Sequence, residues 1–130
     1  MCLFMNTEMI NTKNVPKAIG PYCHAMKAGD LLFTSGQIPL NLNGEIVSDD
    51  VREQTTQVLE NLGAILKEVG LGYENVVKTL IFISDMNDFD VVNEVYGQYF
   101  TGKLPARSCV EVSRLPKDVK VEIELVASFK

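Results

Sequence analysis

The order of hydrophobic patterns along this chain of 130 residues predicts an α+β fold, in which two helices cover one face of a β-sheet. Two segments carry apolar residues at helical spacing, and the segments around them show the alternation or the apolar runs typical of strands. The length fits a single domain over residues 1–130, large enough for one hydrophobic core and too short for a second.

The first third of the chain predicts short strands joined by turns. Residues 1–11 are expected to be a loosely ordered extension, and regular structure is not expected before about residue 20. A short strand over 23–27 and a turn at 28–30 then lead into a strand over 31–38, which Pro39 ends.

The first helix is predicted over residues 51–69. Ser48, Asp49 and Asp50 are candidate N-caps, and Gly70 is suited to the residue just past the last turn. One apolar stripe is formed by Val51, Thr55, Val58, Leu59, Leu62, Ile65, Leu66 and Val69.

A strand and a second helix follow. Residues 76–83 are nearly all apolar, which predicts a strand buried on both faces. Asn87 is the expected cap of the second helix, Gly102 its end, and its apolar stripe consists of Phe89, Val92, Val95, Tyr96, Tyr99 and Phe100.

The C-terminal segment predicts two strands paired as an antiparallel hairpin, with a turn at residues 115–118. The helices would rest on the face that carries Ser108, Val110, Val112, Val121, Ile123 and Leu125. The opposite face would carry Arg107, Cys109, Glu111, Glu122 and Glu124. No predicted element of the chain remains to cover that second face, so it is either exposed to solvent or covered by another subunit.

The composition argues against several classes of protein. The net charge is −5 and no basic run occurs, which disfavours nucleic acid as a partner. No apolar stretch approaches the ~20 residues of a membrane span, and the N-terminus lacks the pattern of a signal peptide. Three cysteines without a CxxC pair and a single histidine predict no metal site. We expect reduced thiols in a soluble cytoplasmic protein.

Several side chains could form a site, and each has a structural alternative. Arg107 could anchor a small organic acid through its guanidinium, or pair with a nearby glutamate. Glu122 and Glu124 could activate water, or line a solvated strand face. Cys109 is expected to be an unreactive thiol, and His24 a structural residue. Gly36 permits close approach of other groups to the backbone.

Five motifs, in order along the chain, resemble the RidA family of enamine/imine deaminases, also called the YjgF family. The resemblance covers about residues 12–130. The motifs are Ala18-Ile19-Gly20-Pro21-Tyr22, Thr34-Ser35-Gly36-Gln37-Ile38-Pro39, Val77-Lys78-Thr79 with Asp85-Met86-Asn87-Asp88-Phe89, Pro105-Ala106-Arg107-Ser108-Cys109-Val110-Glu111-Val112, and Leu115-Pro116-Lys117-Asp118-Val119.

The resemblance implies a chorismate-mutase-like fold and a homotrimer, with the sheets lining its inside and clefts between subunits. It also implies hydrolysis of 2-aminoacrylate and related 2-imino acids, released by pyridoxal-phosphate serine/threonine dehydratases, to 2-keto acids and ammonia without a cofactor. In that comparison Arg107 would bind the substrate carboxylate and Glu122 would position or activate water. The residues implied to line the pocket are Tyr22, Ser35, Gly36, Asn93 and Cys109.

Two positions depart from the commoner family pattern. Cys23-His24 stands where a small or apolar residue and glutamine are frequent, and Leu104 stands where phenylalanine is often found. These differences could tune substrate size. A metabolite-binding regulatory trimer remains an alternative function, and a ribonuclease, translation inhibitor or chaperone a less favoured one because the chain is acidic.

Overall fold

A computed structural model describes residues 6–130, so the expectation for the first five residues lies outside the described part. A mixed sheet has the strand order β1-β2-β3-β6-β4-β5, in which only the β4–β5 pair is parallel. The strands are β1 (Thr7–Ile10), β2 (Ala25–Ala28), β3 (Leu31–Thr34), β4 (Val76–Ile83), β5 (Ala106–Glu111) and β6 (Val121–Ser128), and the helices are α1 (Val51–Glu68) and α2 (Phe89–Tyr99).

Helix α1 begins and ends as the sequence predicts. The Asp50 carboxylate accepts a hydrogen bond from the backbone N–H of Glu53 (2.9 Å), which caps the N-terminus. At the other end Gly70 has a φ of +77°, and its N–H donates to the Lys67 carbonyl. Glycine adopts this left-handed conformation without the steric cost that a Cβ would add.

The start of α2 differs from the prediction. A 3-10 turn over Met86–Asp88 precedes the helix, and the Asp85 carboxylate caps that turn by accepting from the N–H of Asn87 (2.9 Å). Asn87 is therefore inside the turn and does not cap the helix. The capping side chain lies two residues earlier than predicted, and the apolar stripe of α2 is unchanged.

Both helices pack on one face of the sheet, as predicted. The core combines the apolar stripes of α1 and α2 with the inward side chains of β4 and β6. Its fully buried members include Leu59, Leu62, Ile65, Val92, Ile81, Val121 and Ile123. Burial of such side chains supplies the main favourable term in folding.

The predicted C-terminal hairpin is wrong. Strands β5 and β6 both pair with β4, one on each side, so they do not pair with each other. The register matches Ile81 with Cys109 and Ile123, and matches Phe82 with Val110 and Glu122. The helix α2 between β4 and β5 is the connection that allows these two strands to run parallel.

This pairing corrects the predicted faces of the last two strands. Arg107 and Cys109 lie on the helix-covered face with Ile123, whereas Val110 lies on the other face with Glu122. The predicted inward face was right for β6 but reversed for β5. Consistent with this, Cys109 packs against the core and Val110 is 42% exposed.

Two further expectations are corrected. Residues 7–10 are not loosely ordered, because β1 pairs antiparallel with β2 in an unbroken register from Thr7–Ala28 to Ile10–Ala25. Strand β4 is fully buried on one face only: Ile81 and Ile83 are buried, whereas Leu80 and Phe82 on the other face are partly exposed.

The face of the sheet opposite the helices, here called the open face, is rich in apolar side chains. Strand register places Met9, Met26, Phe33, Val126, Leu80, Phe82 and Val110 on it. Met9 is 68% exposed and Phe33 43% exposed. Lys78, Glu122 and Glu124 lie on the same face, among these apolar residues. An exposed face so rich in apolar side chains is typical of a surface that another protein covers.

Candidate functional site

Arg107 extends from edge strand β5 toward helix α2. Its Nη1 donates to the side-chain oxygen of Asn93 (2.7 Å). Its guanidinium carbon lies 4.9 Å from the centroid of the Tyr96 ring and 5.7 Å from that of Phe89. These contacts hold the planar cation by its faces and one edge, and leave most of its five N–H donors free.

The expected alternative for Arg107 was an ion pair with a glutamate. No such pair occurs within the described residues, where the arginine ion pairs are Arg52–Glu94 and Arg114–Asp118. Glu111 instead accepts a hydrogen bond from the backbone N–H of Met86 (2.7 Å). The guanidinium of Arg107 is therefore available to a bound anion.

Tyr96 is the platform on which Arg107 rests, and its position is fixed from two sides. Its hydroxyl forms a hydrogen bond with the buried hydroxyl of Thr79 (2.8 Å), and its ring stacks on Phe100 at 4.4 Å between centroids. Burial raises the pKa of Tyr96 against the opposing effects of Thr79 and Arg107, so the hydroxyl stays neutral at physiological pH.

The Arg107 pocket is an open cavity of about 300 Å³ at the rim of the sheet, between α2 and the start of β5. Among residues 6–130, Arg107 is the only charged residue that lines it. The other lining residues are Asn93, Tyr96, Gly97, Phe100, Leu104 and Pro105. One cation in a mainly apolar cavity suits a small organic anion.

Cys109 lies two residues after Arg107 on the same face of β5 and is half-buried against the core. Burial raises the pKa of its thiol, and the nearby Arg107 only partly offsets that effect. The neutral thiol dominates, which argues against a nucleophilic cysteine.

A second pocket, also of about 300 Å³, contains Glu122. The loop after β3 lies against this side chain: a Cβ added at Gly36 would stand 2.8 Å from the carboxyl carbon of Glu122 and 3.0 Å from its Cγ. Two backbone hydrogen bonds between Gln37 and Ile123 (2.8 and 3.2 Å) fix the loop beside β6. Gly36 is thus needed for close packing of the Glu122 side chain.

The Glu122 carboxyl group is half-buried. Burial raises its pKa above the ordinary value, and the charge of Glu124, two residues along on the same face, raises it further. A carboxyl group whose pKa moves toward neutrality can exchange protons more readily in a reaction near pH 7.

Ser35 and Tyr22 border the Glu122 pocket together with Ile19, Ile38 and Pro116. The Ser35 hydroxyl donates to the Cys23 carbonyl (2.7 Å), which fixes its orientation. The Tyr22 hydroxyl accepts a weak hydrogen bond from the N–H of Ile19 (3.3 Å), and the ring is 45% exposed. Tyr22 can therefore offer its hydroxyl proton to a ligand.

The predicted site residues thus fall into two groups. Tyr22, Ser35, Gly36 and Glu122 meet on the open face, whereas Asn93, Arg107 and Cys109 meet on the helix side. The two pockets share no lining residue. The expectation that Arg107 and Glu122 share one face of a single chain is wrong, because their partners in β4 are Thr79 and Phe82, whose side chains point to opposite faces.

His24 belongs to neither group. Its ring is buried, with Nδ1 accepting from the N–H of Thr12 (3.1 Å) and Nε2 2.9 Å from the Pro16 carbonyl. Nδ1 thus acts as the acceptor, and Nε2 is placed to donate to the carbonyl. The predicted structural role of His24 agrees with this geometry.

Sequence reasoning missed Tyr96 as a lining residue of the Arg107 pocket and Phe89 as a contact of the guanidinium, because both fit the apolar stripe of α2. A signal was present in the spacing. Phe89 lies four residues before Asn93, and Tyr96 and Gly97 lie three and four residues after it. The four residues therefore share one helix face, on which an amide interrupts the apolar pattern.

Residues 6–130 contain neither a membrane-spanning helix nor a cluster of metal ligands. No helix there is long and apolar enough to cross a membrane. No group of three or more His, Cys, Asp or Glu side chains in the same range is arranged to hold a metal ion.

Comparison with known proteins places the chain in a family. Residues 12–129 match the family described as Endoribonuclease L-PSP. A RutC family protein of Pyrococcus horikoshii is 54% identical over 121 residues, which cover 92% of this chain and 96% of that protein. The 2-iminobutanoate/2-iminopropanoate deaminase of Salmonella typhimurium is 48% identical over 124 residues, covering 93% and 97%.

Solved structures support the same family. The crystal structure of E. coli TdcF with bound serine is similar with a TM-score of 0.89 and 47% identity, covering 93% of this chain and 98% of that one. The crystal structure of the E. coli YjgF gene product has a TM-score of 0.90 and 47% identity, covering 95% and 99%. The chain therefore belongs to the RidA (YjgF) family, whose sequence description is Endoribonuclease L-PSP.

Proposed function

We propose that the protein is an enamine/imine deaminase that hydrolyses small 2-imino acids to 2-keto acids and ammonia. The observation that carries the proposal is the unpaired guanidinium of Arg107, held by Asn93 and the Tyr96 ring in a pocket without a carboxylate. A carboxylate of a small acid would bind its free N–H donors in a bidentate manner. Membership of a family that includes named 2-iminobutanoate/2-iminopropanoate deaminases supports the proposal.

The complete site would form between subunits. Arg107 opens at the rim of the sheet, on edge strand β5, whereas Glu122 lies on the open face. A ring of three chains with their open faces inward would set the rim of one sheet against the open face of the next. Arg107 of one chain would then meet the partner subunit's Glu122, and the apolar open face would be buried.

The reaction needs little beyond an anchored acid and a placed water, because an imine carbon is already electrophilic. Arg107 holds the carboxylate of the imino acid. The Glu122 carboxylate accepts a proton as water adds to the imine carbon, and returns it to the nitrogen of the tetrahedral adduct. The hydroxyl proton of the adduct then passes through Glu122 to the amino nitrogen as the C–N bond breaks and the C=O bond forms, and ammonia and the 2-keto acid leave.

A coupled assay tests the proposal. A pyridoxal-phosphate threonine dehydratase, the proposed source of the imine, is mixed with threonine, with and without this protein, and 2-oxobutanoate formation is followed. We expect the protein to accelerate keto-acid release, and Arg107→Ala to abolish the acceleration. Arg114→Ala is the matched control, because Arg114 is exposed and pairs only with Asp118. The proposal would be contradicted if the wild type gave no acceleration or if Arg107→Ala gave full acceleration.

A regulatory ligand-binding function is the second candidate, because the similar structure of E. coli TdcF is described with bound serine. The same two pockets would then bind a metabolite without converting it. Saturable binding of 2-oxobutanoate by calorimetry, combined with no effect in the coupled assay, would favour this candidate over the enzyme.

A further inference from the structure

Gly97 is the ninth residue of helix α2 (Phe89–Tyr99) and its only glycine. Glycine in a helix interior is less favourable than alanine, because the chain loses more conformational freedom on folding. A glycine at such a position is expected where a Cβ would clash or where the backbone needs a positive φ.

Neither reason applies to Gly97 within this chain. A Cβ built there has no heavy atom within 4 Å, outside its own neighbours and the local helix backbone. Gly97 is also not among the glycines of positive φ, which in the described residues are Gly29, Gly44 and Gly70. By contrast, Gly63 in α1 would place its Cβ 2.9 Å from the Tyr73 ring. Gly97 therefore leaves open space that the fold itself does not require.

That open space belongs to the Arg107 pocket, which Gly97 lines together with Leu104 and Phe100. Gly97 follows Asn93 by one helical turn, so both face the guanidinium side. The carboxylate end of a ligand would lie at Arg107, and the apolar residues Phe100 and Leu104 would remain for the rest of the molecule. Leu104 is 71% exposed and free to contact a ligand.

The cavity of about 300 Å³ is open at the rim of the sheet, where the neighbouring subunit of the proposed trimer would form its outer wall. The smallest 2-imino acid of this class, 2-iminopropanoate, has only a methyl group beyond its reactive centre to place against Phe100 and Leu104. A longer linear aliphatic chain would lie along Phe100 and Leu104 and gain hydrophobic contact.

We infer that Gly97 is a specificity-determining residue that opens the Arg107 pocket to 2-imino and 2-keto acids with linear aliphatic side chains longer than ethyl. The inference rests on the proposed function for the imino acids, but the binding of keto acids can be measured without any turnover. Gly97 has no side chain that could take part in the reaction, so we expect a substitution there to act on side-chain size alone.

The test compares Gly97→Ala and Gly97→Leu with the wild type. Affinity for pyruvate and for 2-oxohexanoate is measured by calorimetry, and relative kcat/KM by the rate of keto-acid formation from imines that an amino-acid oxidase generates from alanine and norleucine. Gln98→Ala is the matched control, being exposed on the same helix and outside the pocket lining.

We expect the wild type to prefer the six-carbon acid, since each added methylene in an apolar pocket contributes roughly tenfold or more to discrimination. The measured quantity is the ratio of affinity, or of kcat/KM, for the six-carbon acid to that for the three-carbon acid. Gly97→Ala should lower this ratio about tenfold, and Gly97→Leu should lower it further. Gln98→Ala should leave it unchanged. The melting temperature of Gly97→Ala should rise by about 2–5 °C, because alanine favours the helix.

A wild type that binds pyruvate as well as 2-oxohexanoate, or a ratio that Gly97→Ala and Gly97→Leu leave unchanged, would overturn the inference. If the keto-acid ratio changes as expected but the protein hydrolyses no imine, the proposed enzymatic function fails and the role of Gly97 in size selection stands. A ratio lowered equally by Gln98→Ala would also contradict the inference, because the effect would then not be local to the pocket.

Discussion

Replacement of Gly36 by alanine should inactivate the protein with little effect on folding. The new Cβ would stand 2.8 Å from the Glu122 carboxyl carbon, and real Cβ contacts rarely fall below about 3.4 Å. The carboxyl carbon must therefore move by at least about 0.6 Å, and the nearer oxygen further. A displacement on the order of 1 Å of a catalytic group can cost about 100-fold in rate. Since the clash involves the end of a flexible side chain, the backbone need not move.

The assay is imine hydrolysis coupled to a threonine dehydratase, together with a urea unfolding curve. We expect kcat/KM to fall about 100-fold while the unfolding midpoint stays close to that of the wild type. Gly102→Ala is the matched control, because a Cβ there meets nothing within 4 Å.

A double-mutant cycle identifies the route of the effect. If Gly36→Ala acts through Glu122, it should cost almost nothing further in a Glu122→Gln background. Wild-type activity in Gly36→Ala, or full additivity of the two substitutions, would refute the reasoning that Gly36 positions the Glu122 carboxylate.

Glu124, Gly63 and Phe33 offer three further tests. The raised pKa of Glu122 predicts that kcat/KM falls as pH is lowered through a value above the pKa of an ordinary glutamate. Glu124→Gln removes a charge that raises this pKa, so the acidic limb of the pH–kcat/KM profile should move to lower pH. A shift to higher pH would contradict the assignment of that limb to Glu122. Gly63→Ala should lower the free energy of unfolding in urea by about 1–3 kcal/mol, because its Cβ would stand 2.9 Å from the Tyr73 ring; an unchanged or higher value would show that the ring can shift freely. Phe33→Glu, on the open face, should reduce the assembly to single chains of 14.4 kDa in sedimentation while circular dichroism remains unchanged; a wild type that sediments as a single chain would contradict the trimer.

The helices were predictable because their signals are local. The apolar spacing of α1, the N-cap at Asp50 and the glycine at position 70 all lie within one segment, and the structure contains them as predicted. Even the displaced cap of α2 reflects local competition between Asp85 and Asn87, two residues that can both accept a backbone hydrogen bond.

Strand pairing was not predictable in the same way. Alternation indicates which residues of a strand share a face. It does not indicate which strand pairs with it or which of its faces is buried. In β5 both alternating sets contain residues that tolerate burial, so Cys109 and Val110 were assigned to the wrong sides. The register with β4 resolves this, since it aligns Cys109 with buried Ile81.

From the amino-acid sequence alone we could predict the α+β class, the bounds of the long helix, the family, and Arg107 and Glu122 as candidate site residues. The packing of the strands was needed to show that these two side chains lie on opposite faces of one sheet, in pockets that share no residue. The physical reason is that helix signals and motifs are encoded within a few residues, whereas the position of β5 and β6 on either side of β4 results from packing between distant segments.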